Sequence, residues 1–138
     1  MGSSEKVKYL LDTHILIWCL VAPVKLSKSY LDLLKRIENE KAMVGVSVLS
    51  LWESARLAAE KRLSLTCSVH QWVERIESNP FFEILPLSSG IILESLDLGP
   101  GFPKDPVDRF IVATARVHNL QLLTVDEKIR KSAQVIVV

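Results

Sequence analysis

At 138 residues, 49% of them hydrophobic and with only 5 glycines and 6 prolines, the chain has the make-up of one globular domain, which excludes a disordered or fibrous protein. A formal net charge of +1 supplies no long-range attraction to nucleic acid, so any phosphate recognition has to come from local patches or bound cations. No apolar run reaches the roughly 20 residues that span a bilayer, and the opening MGSSEKVKYLL lacks a signal-peptide pattern, so no membrane association is expected. Cys19 and Cys67 have neither paired metal-ligand spacing nor a disulfide framework, which fits a reducing compartment, and a cytoplasmic location is expected. MGSS reads as a cloning remnant. The expectation is a single domain over residues 1–138, with residues 1–5 outside its ordered part.

In chain order, KYLLD is a short apolar strand ending at Asp12, and a helical pattern runs from His14 to Val21. A second helix is predicted from Ser27 to Glu40. AMVGVSV, around Val44, is the next strand, followed by helices from Val48 to Lys61 and from Val69 to Glu77. FFEILPL supplies a third strand around Ile84, with a helix from Ser88 to Leu96 after it. Asp105 and Pro106 open a helix that runs to His118, Asp as the cap and Pro at the first position, where no amide partner is needed. LQLLT, ending at Thr124, is the fourth strand, a short helix follows Asp126, and AQVIVV is the fifth strand. Short apolar strands alternating with helices predict an α/β fold with a single sheet of about five parallel strands.

In such sheets ligands bind beyond the carboxyl ends of the strands, and four acids fall at that edge. Asp12 ends the first strand. Glu53 lies near the start of its helix on one stripe with Leu49 and Leu57. Asp108 shares the apolar stripe of Ile111, Val112 and Ala115, although a carboxylate that merely favours a helix start can do so from the solvated side. Asp126 sits where the fourth strand gives way to the last helix. Each has an ordinary structural role open to it: SLWE, Ser50 to Glu53, matches a capping box, Asp126 and Asp105 can cap helices, and Asp12 can accept from a neighbouring turn. Taken together, four carboxylates in one cleft repel one another unless protonated or bound to cations. Acids without His or Cys partners suit Mg²⁺, with Mn²⁺ as the alternative, better than zinc. His14, His70 and His118 form no helical i, i+4 pair.

With YLLDTHILIW at Tyr9 to Trp18, SVLSLWESARL at Ser47 to Leu57, DPVDRFIVATA at Asp105 to Ala115 and LLTVD at Leu122 to Asp126, the chain resembles the PIN-domain nucleases, most closely the VapC-type toxins of type II toxin–antitoxin pairs. The resemblance covers nearly the whole chain. It implies a parallel sheet of order 3-2-1-4-5 flanked by helices. It also implies that Asp12, Glu53, Asp108 and Asp126 are the metal-binding and catalytic acids, with Asp105 auxiliary and Thr13 and Thr124 supporting by hydrogen bonds. The implied activity is metal-dependent endoribonuclease cleavage of RNA phosphodiester bonds, restrained by a small cognate antitoxin, in a chain that forms a homodimer. Pro103, Lys104 and Val107 depart from the family's usual His, basic residue and Phe around the DP pair. That departure bears on substrate preference and leaves the acids intact.

Arg109 is a candidate phosphate contact or the partner of a neighbouring aspartate, and Arg56, three residues after Glu53, is expected to pair with it. Trp18 and Trp52 are expected in the core, while Trp72 fits either the core or a partner-facing helix. Two rivals remain: a non-catalytic PIN-like RNA- or protein-binding module, and a phosphoacceptor receiver domain. The receiver requires an Asp after its middle strand, where Ser47 or Ser88 stands.

Overall fold

In the computed structural model, which describes residues 7–138, the chain opens with β1 (Val7–Leu11) and α1 (Thr13–Val21). The expectation for residues 1–5 falls outside the described residues. A short 3₁₀ turn at Pro23–Lys25 leads to α2 (Lys28–Asn39), β2 (Met43–Ser47), α3 (Val48–Ala59) and α4 (Val69–Ser78). β3 (Phe82–Leu85), α5 (Ser89–Leu96), α6 (Pro106–His118), β4 (Gln121–Leu123) and α7 (Glu127–Ser132) complete the order. Each helix predicted from periodicity and caps is present within a few residues of its expected limits.

The four strands form one parallel sheet of order β3-β2-β1-β4. In β1 and β4 adjacent residues serve opposite faces. Leu11 and Leu123 join a core with Ile15, Leu16, Val46, Trp72 and Ile76, whereas Leu10 and Leu122 join another with Ile111, Val112 and Ile129. That two-sided burial is why Leu10–Leu11 and Leu122–Leu123 are consecutive apolar pairs rather than an alternation of apolar and polar residues. In this order β1 lies between β2 and β4, whereas a receiver places its first strand between the second and third, so the topology excludes that rival.

The expected fifth strand is corrected to a single parallel bridge, Leu122 to Val137. Ala133 leaves α7 in a left-handed conformation (φ 58°), and the Gln134 side chain accepts a hydrogen bond from Arg116 at 2.9 Å. Only Ile136 and Val138 then meet β4, through backbone bonds on either side of Leu122. The segment holds the expected place beside β4 without extending into a strand.

Two further corrections concern helices and tryptophans. α3 is capped by Ser47, whose hydroxyl accepts from Leu49 N at 3.1 Å, so Ser50 lies inside the helix and the Ser50–Glu53 capping box does not form. Trp52, expected in the core, is 51% exposed, with the Arg56 guanidinium 5.0 Å above its ring. Trp72 is the buried one, and its indole donates to Ser54 Oγ at 2.9 Å.

Gly45 sits in β2, between β1 and β3, where a Cβ would come within 3.0 Å of Leu85 Cδ1, 3.3 Å of Val7 Cγ1 and 3.4 Å of Leu10 Cδ1. Gly45→Ala is therefore expected to destabilise the protein by roughly 1–3 kcal/mol through overpacking. A denaturant titration that finds no loss would mean that the three side chains yield freely.

Candidate active site

Asp12 follows β1 directly, and its backbone N–H donates to Leu123 O at 3.0 Å, extending the ladder with β4 by one step. Its side chain caps α1: Oδ1 accepts from Thr13 N at 2.6 Å, and Oδ2 accepts from the Thr124 hydroxyl at 2.6 Å. Thr124 Oγ1 in turn accepts from Asp126 N at 3.0 Å. The Thr13 hydroxyl donates to Ser50 Oγ at 3.1 Å, joining α1 to α3. Both threonines thus make hydrogen bonds at the site, Thr124 with its side chain on Asp12. Burial raises the Asp12 pKa, against the lowering effect of the bonds from Thr124 and Thr13.

Tyr30, from α2, braces this arrangement. Its hydroxyl accepts from Thr124 N at 3.2 Å and lies within donating distance of Thr124 O at 3.1 Å and Val138 O at 3.0 Å. Arg130 donates to Thr124 O at 3.0 Å from the other side. Sequence reasoning missed Tyr30 because 94 residues separate it from Thr124 and no local pattern joins them.

The remaining acids come from helix starts. Asp105 caps α6, its Oδ1 accepting from Val107 N at 2.9 Å and Asp108 N at 3.2 Å. Asp126 caps α7 in the same way, from Lys128 N at 2.8 Å and Ile129 N at 3.3 Å. In both, a single carboxylate oxygen serves the cap, and both residues line the cleft. Asp108, one turn into α6, and Glu53, on α3, are half-buried. These five acids line a single cavity of about 410 Å³ together with His14, Trp18 and Val125. Asp108 is pushed up to about 7, first by burial and then by Asp105, Asp12, Asp126 and Glu53 in that order. Its place on the apolar stripe is now accounted for: the stripe meets the cleft at the first turn of α6.

The acids share the cavity without closing into a cage. Among the described residues no three His, Cys, Asp or Glu side chains stand close enough together to hold one ion as placed. The donor chemistry nevertheless fits a hard divalent cation: the acids offer only carboxylate oxygens, and burial together with the neighbouring acids raises the Asp108 pKa to about 7.

Two arginines stand apart from the acids. Arg109 donates to Pro103 O at 3.1 Å and Ser95 O at 3.4 Å, with its guanidinium 5.7 Å from the Phe102 ring, so it braces the loop before α6 and lines no part of the acid cavity. Arg56 pairs with Glu60 at 3.4 Å rather than with Glu53. Trp18 is half-buried and faces the cleft beside His14, with their ring centroids 6.1 Å apart.

A parallel sheet of this order with acids gathered beyond its carboxyl edge is the architecture of the PIN domain, whose family model matches residues 9–134; the chain belongs to the PIN-domain family. Ribonuclease VapC22 of Mycobacterium tuberculosis is 28% identical over 121 residues, spanning 88% of each chain. Among solved structures, VapBC2 from Rickettsia felis bound to a DNA fragment from its promoter superposes with a TM-score of 0.71 at 18% identity, over 96% of this chain and 97% of that one. FitAcB from Neisseria gonorrhoeae does so with a TM-score of 0.64 at 23% identity, over 94% and 95%. At these identities the solved structures establish a shared fold.

The raised Asp108 pKa has a measurable sign. The unfolded chain releases this proton near 3.8 and the folded protein near 7, so the folded state binds more protons between those values. The stability it contributes is full below the lower value and is lost as pH rises through the upper one. Asp12, shifted in the same direction by burial, adds to the trend. Metal-free protein is therefore expected to melt at a falling temperature as pH rises toward 8, and Asp108→Asn should flatten that decline and melt higher at pH 8. Superimposable profiles for the two proteins in a chelating buffer would show that Asp108 is not crowded.

Proposed function

We propose that this chain is a metal-dependent endoribonuclease and the toxin of a toxin–antitoxin pair, folded as one PIN domain. The observation that carries the reading is the convergence of Asp12, Glu53, Asp108, Asp126 and Asp105 in one cavity at the carboxyl edge of the sheet. The named ribonuclease relative, and a toxin–antitoxin complex from Klebsiella pneumoniae that shares the fold with a TM-score of 0.63 at 22% identity, support the assignment of activity and partner.

In this reading Asp12, Glu53, Asp108 and Asp126 hold Mg²⁺ or Mn²⁺, with Asp105 as an auxiliary ligand. A bound divalent ion lowers the pKa of a coordinated water and stabilises charge on a phosphate during in-line displacement. The protein's own part is orientation. Thr13 and Thr124 fix both oxygens of Asp12, so this carboxylate is set before any ligand arrives. With its pKa raised to about 7, Asp108 would be a carboxylate for which proton and cation compete, so cation affinity should fall in mild acid.

The cognate antitoxin is expected to cover the cleft with an Arg or Lys that pairs with these carboxylates. A homodimer is also part of the proposal, supported by exposed apolar residues such as Leu93 and Leu96 on α5. No helix among the described residues is long and apolar enough to cross a membrane, which is compatible with the cytoplasmic site proposed for RNA cleavage.

The test is cleavage of total cellular RNA by purified protein with Mg²⁺ or Mn²⁺. Asp12→Asn and Asp108→Asn should each lose activity by a factor on the order of 10² or more, since the lost charge is the one a cation uses. Asp105→Asn should lose much less, because Asn is itself a good helix cap. Full activity in Asp108→Asn would remove that residue from the site, and equal losses at Asp105 and Asp108 would make both of them ligands. Calorimetry that finds no Mg²⁺ or Mn²⁺ binding to folded protein would defeat the metal-dependent reading.

A further inference from the structure

The acid cavity opens into a second arm. Asp105, Asp108 and Asp126 belong to the walls of both, and beyond them a larger cavity of about 820 Å³ runs between the loop at 101–105 and α7. Lys104 stands on the loop side. Lys128 and Lys131, three residues apart and so on one face of α7, stand on the helix side. All three are exposed, and among the described residues none is in an ion pair. Glu127 is the one acid in this arm beyond the three shared with the acid cavity, so the lining that belongs to this arm alone carries three lysines against one carboxylate.

The basic residues of α7 divide by direction. Arg130 donates to Thr124 O at 3.0 Å, a bracing role. Lys128 and Lys131 face the cavity. Lys104 directly precedes Asp105, and Lys128 follows Asp126 by two residues, so the same two helix starts present a carboxylate to the floor and an ammonium to the wall.

A polyanion approaching five carboxylates is repelled, and the net charge of +1 offers no compensating field. Cations at the acids would neutralise the phosphate that is cut, while its neighbours along the strand require positive charge of their own. Ammonium groups on flexible stems suit sequence-independent phosphate contacts. We propose that this lysine-lined arm is a track for the backbone of single-stranded RNA, with Lys104 on one wall and Lys128 and Lys131 on the other holding phosphates next to the scissile one. The proposal rests on the ribonuclease reading and specifies how its substrate lies. A single strand is the form that fits, because the scissile phosphate has to reach a cavity in which Asp12 is buried and Glu53, Asp108 and Asp126 are half-buried.

The experiment compares steady-state cleavage of a single-stranded RNA oligonucleotide by wild type and by the Lys104→Ala, Lys128→Ala, Lys131→Ala triple variant across a salt series. KM should rise about 10-fold or more at low salt, and the slope of log affinity against log salt should shrink by about 2, near 0.7 for each lost phosphate contact. The kcat should stay near the wild-type value, since the acids are untouched. A control removing the same charge elsewhere, Lys28→Ala, Lys35→Ala, Lys41→Ala, should leave KM unchanged, and replacing the three cleft lysines by Arg should restore most of the binding. Lys104→Ala alone should carry one contact's share and serves as the readout if the triple variant is poorly folded. Unchanged KM and salt slope in a folded cleft variant, or an equal effect in the control, would overturn the track while RNA cleavage by wild type still stands. Wild-type protein that neither binds nor cleaves RNA overturns the ribonuclease reading, and the track with it.

Discussion

The parallel pairing of β1 with β4 is the constraint on which the site depends. Leu10 lies beside Leu122 and Leu11 beside Leu123, and one further backbone bond, Asp12 N to Leu123 O, carries the alignment past the end of β1. Asp12 and Thr124 are thereby set side by side, and the 2.6 Å bond between their side chains follows from that register. A slip of one residue would turn both away and would also exchange the leucines between the two cores. Burial of those leucines, each fully inaccessible, therefore holds the site's geometry as well as the fold.

Gathering five carboxylates in one half-buried cavity is unfavourable, and the fold tempers it by giving three of them a second task. Asp12, Asp105 and Asp126 are the N-caps of α1, α6 and α7, where backbone N–H groups and the positive end of each helix offset negative charge. At Asp105 and Asp126 one oxygen serves the helix while the residue also lines the cleft. Asp108 caps no helix, and burial, with the neighbouring acids, pushes its pKa up to about 7. Capping and ligation, which look like competing explanations in the sequence, are compatible uses of one carboxylate.

Much of this was legible from residue order. The helices, four of the strands and the placing of Asp12, Glu53, Asp108 and Asp126 near one edge follow from apolar periodicity, from Asp105 before Pro106, and from acids standing at the ends of apolar runs. The errors lie where two local solutions were equally available. Arg56 can reach Glu53 or Glu60 on the same helix, and it pairs with Glu60 while stacking over Trp52. Trp52 and Trp72 both sit in amphipathic patterns, and only Trp72 finds a buried partner in Ser54.

The sequence by itself determined the α/β class, the caps at Asp105 and Asp126 and the set of acids, because strand and helix periods and capping preferences act over a few neighbouring residues. Tertiary structure alone decided that Tyr30 would clamp Thr124, that Arg109 would hold the carbonyls of Ser95 and Pro103, and that the last apolar run would meet β4 at one bridge. It also decided that lysines from a loop and from α7 would face one cavity beside the acids. These depend on which distant surfaces come into contact, and a side chain with several partners within reach is assigned to one of them only when the sheet and both cores are assembled.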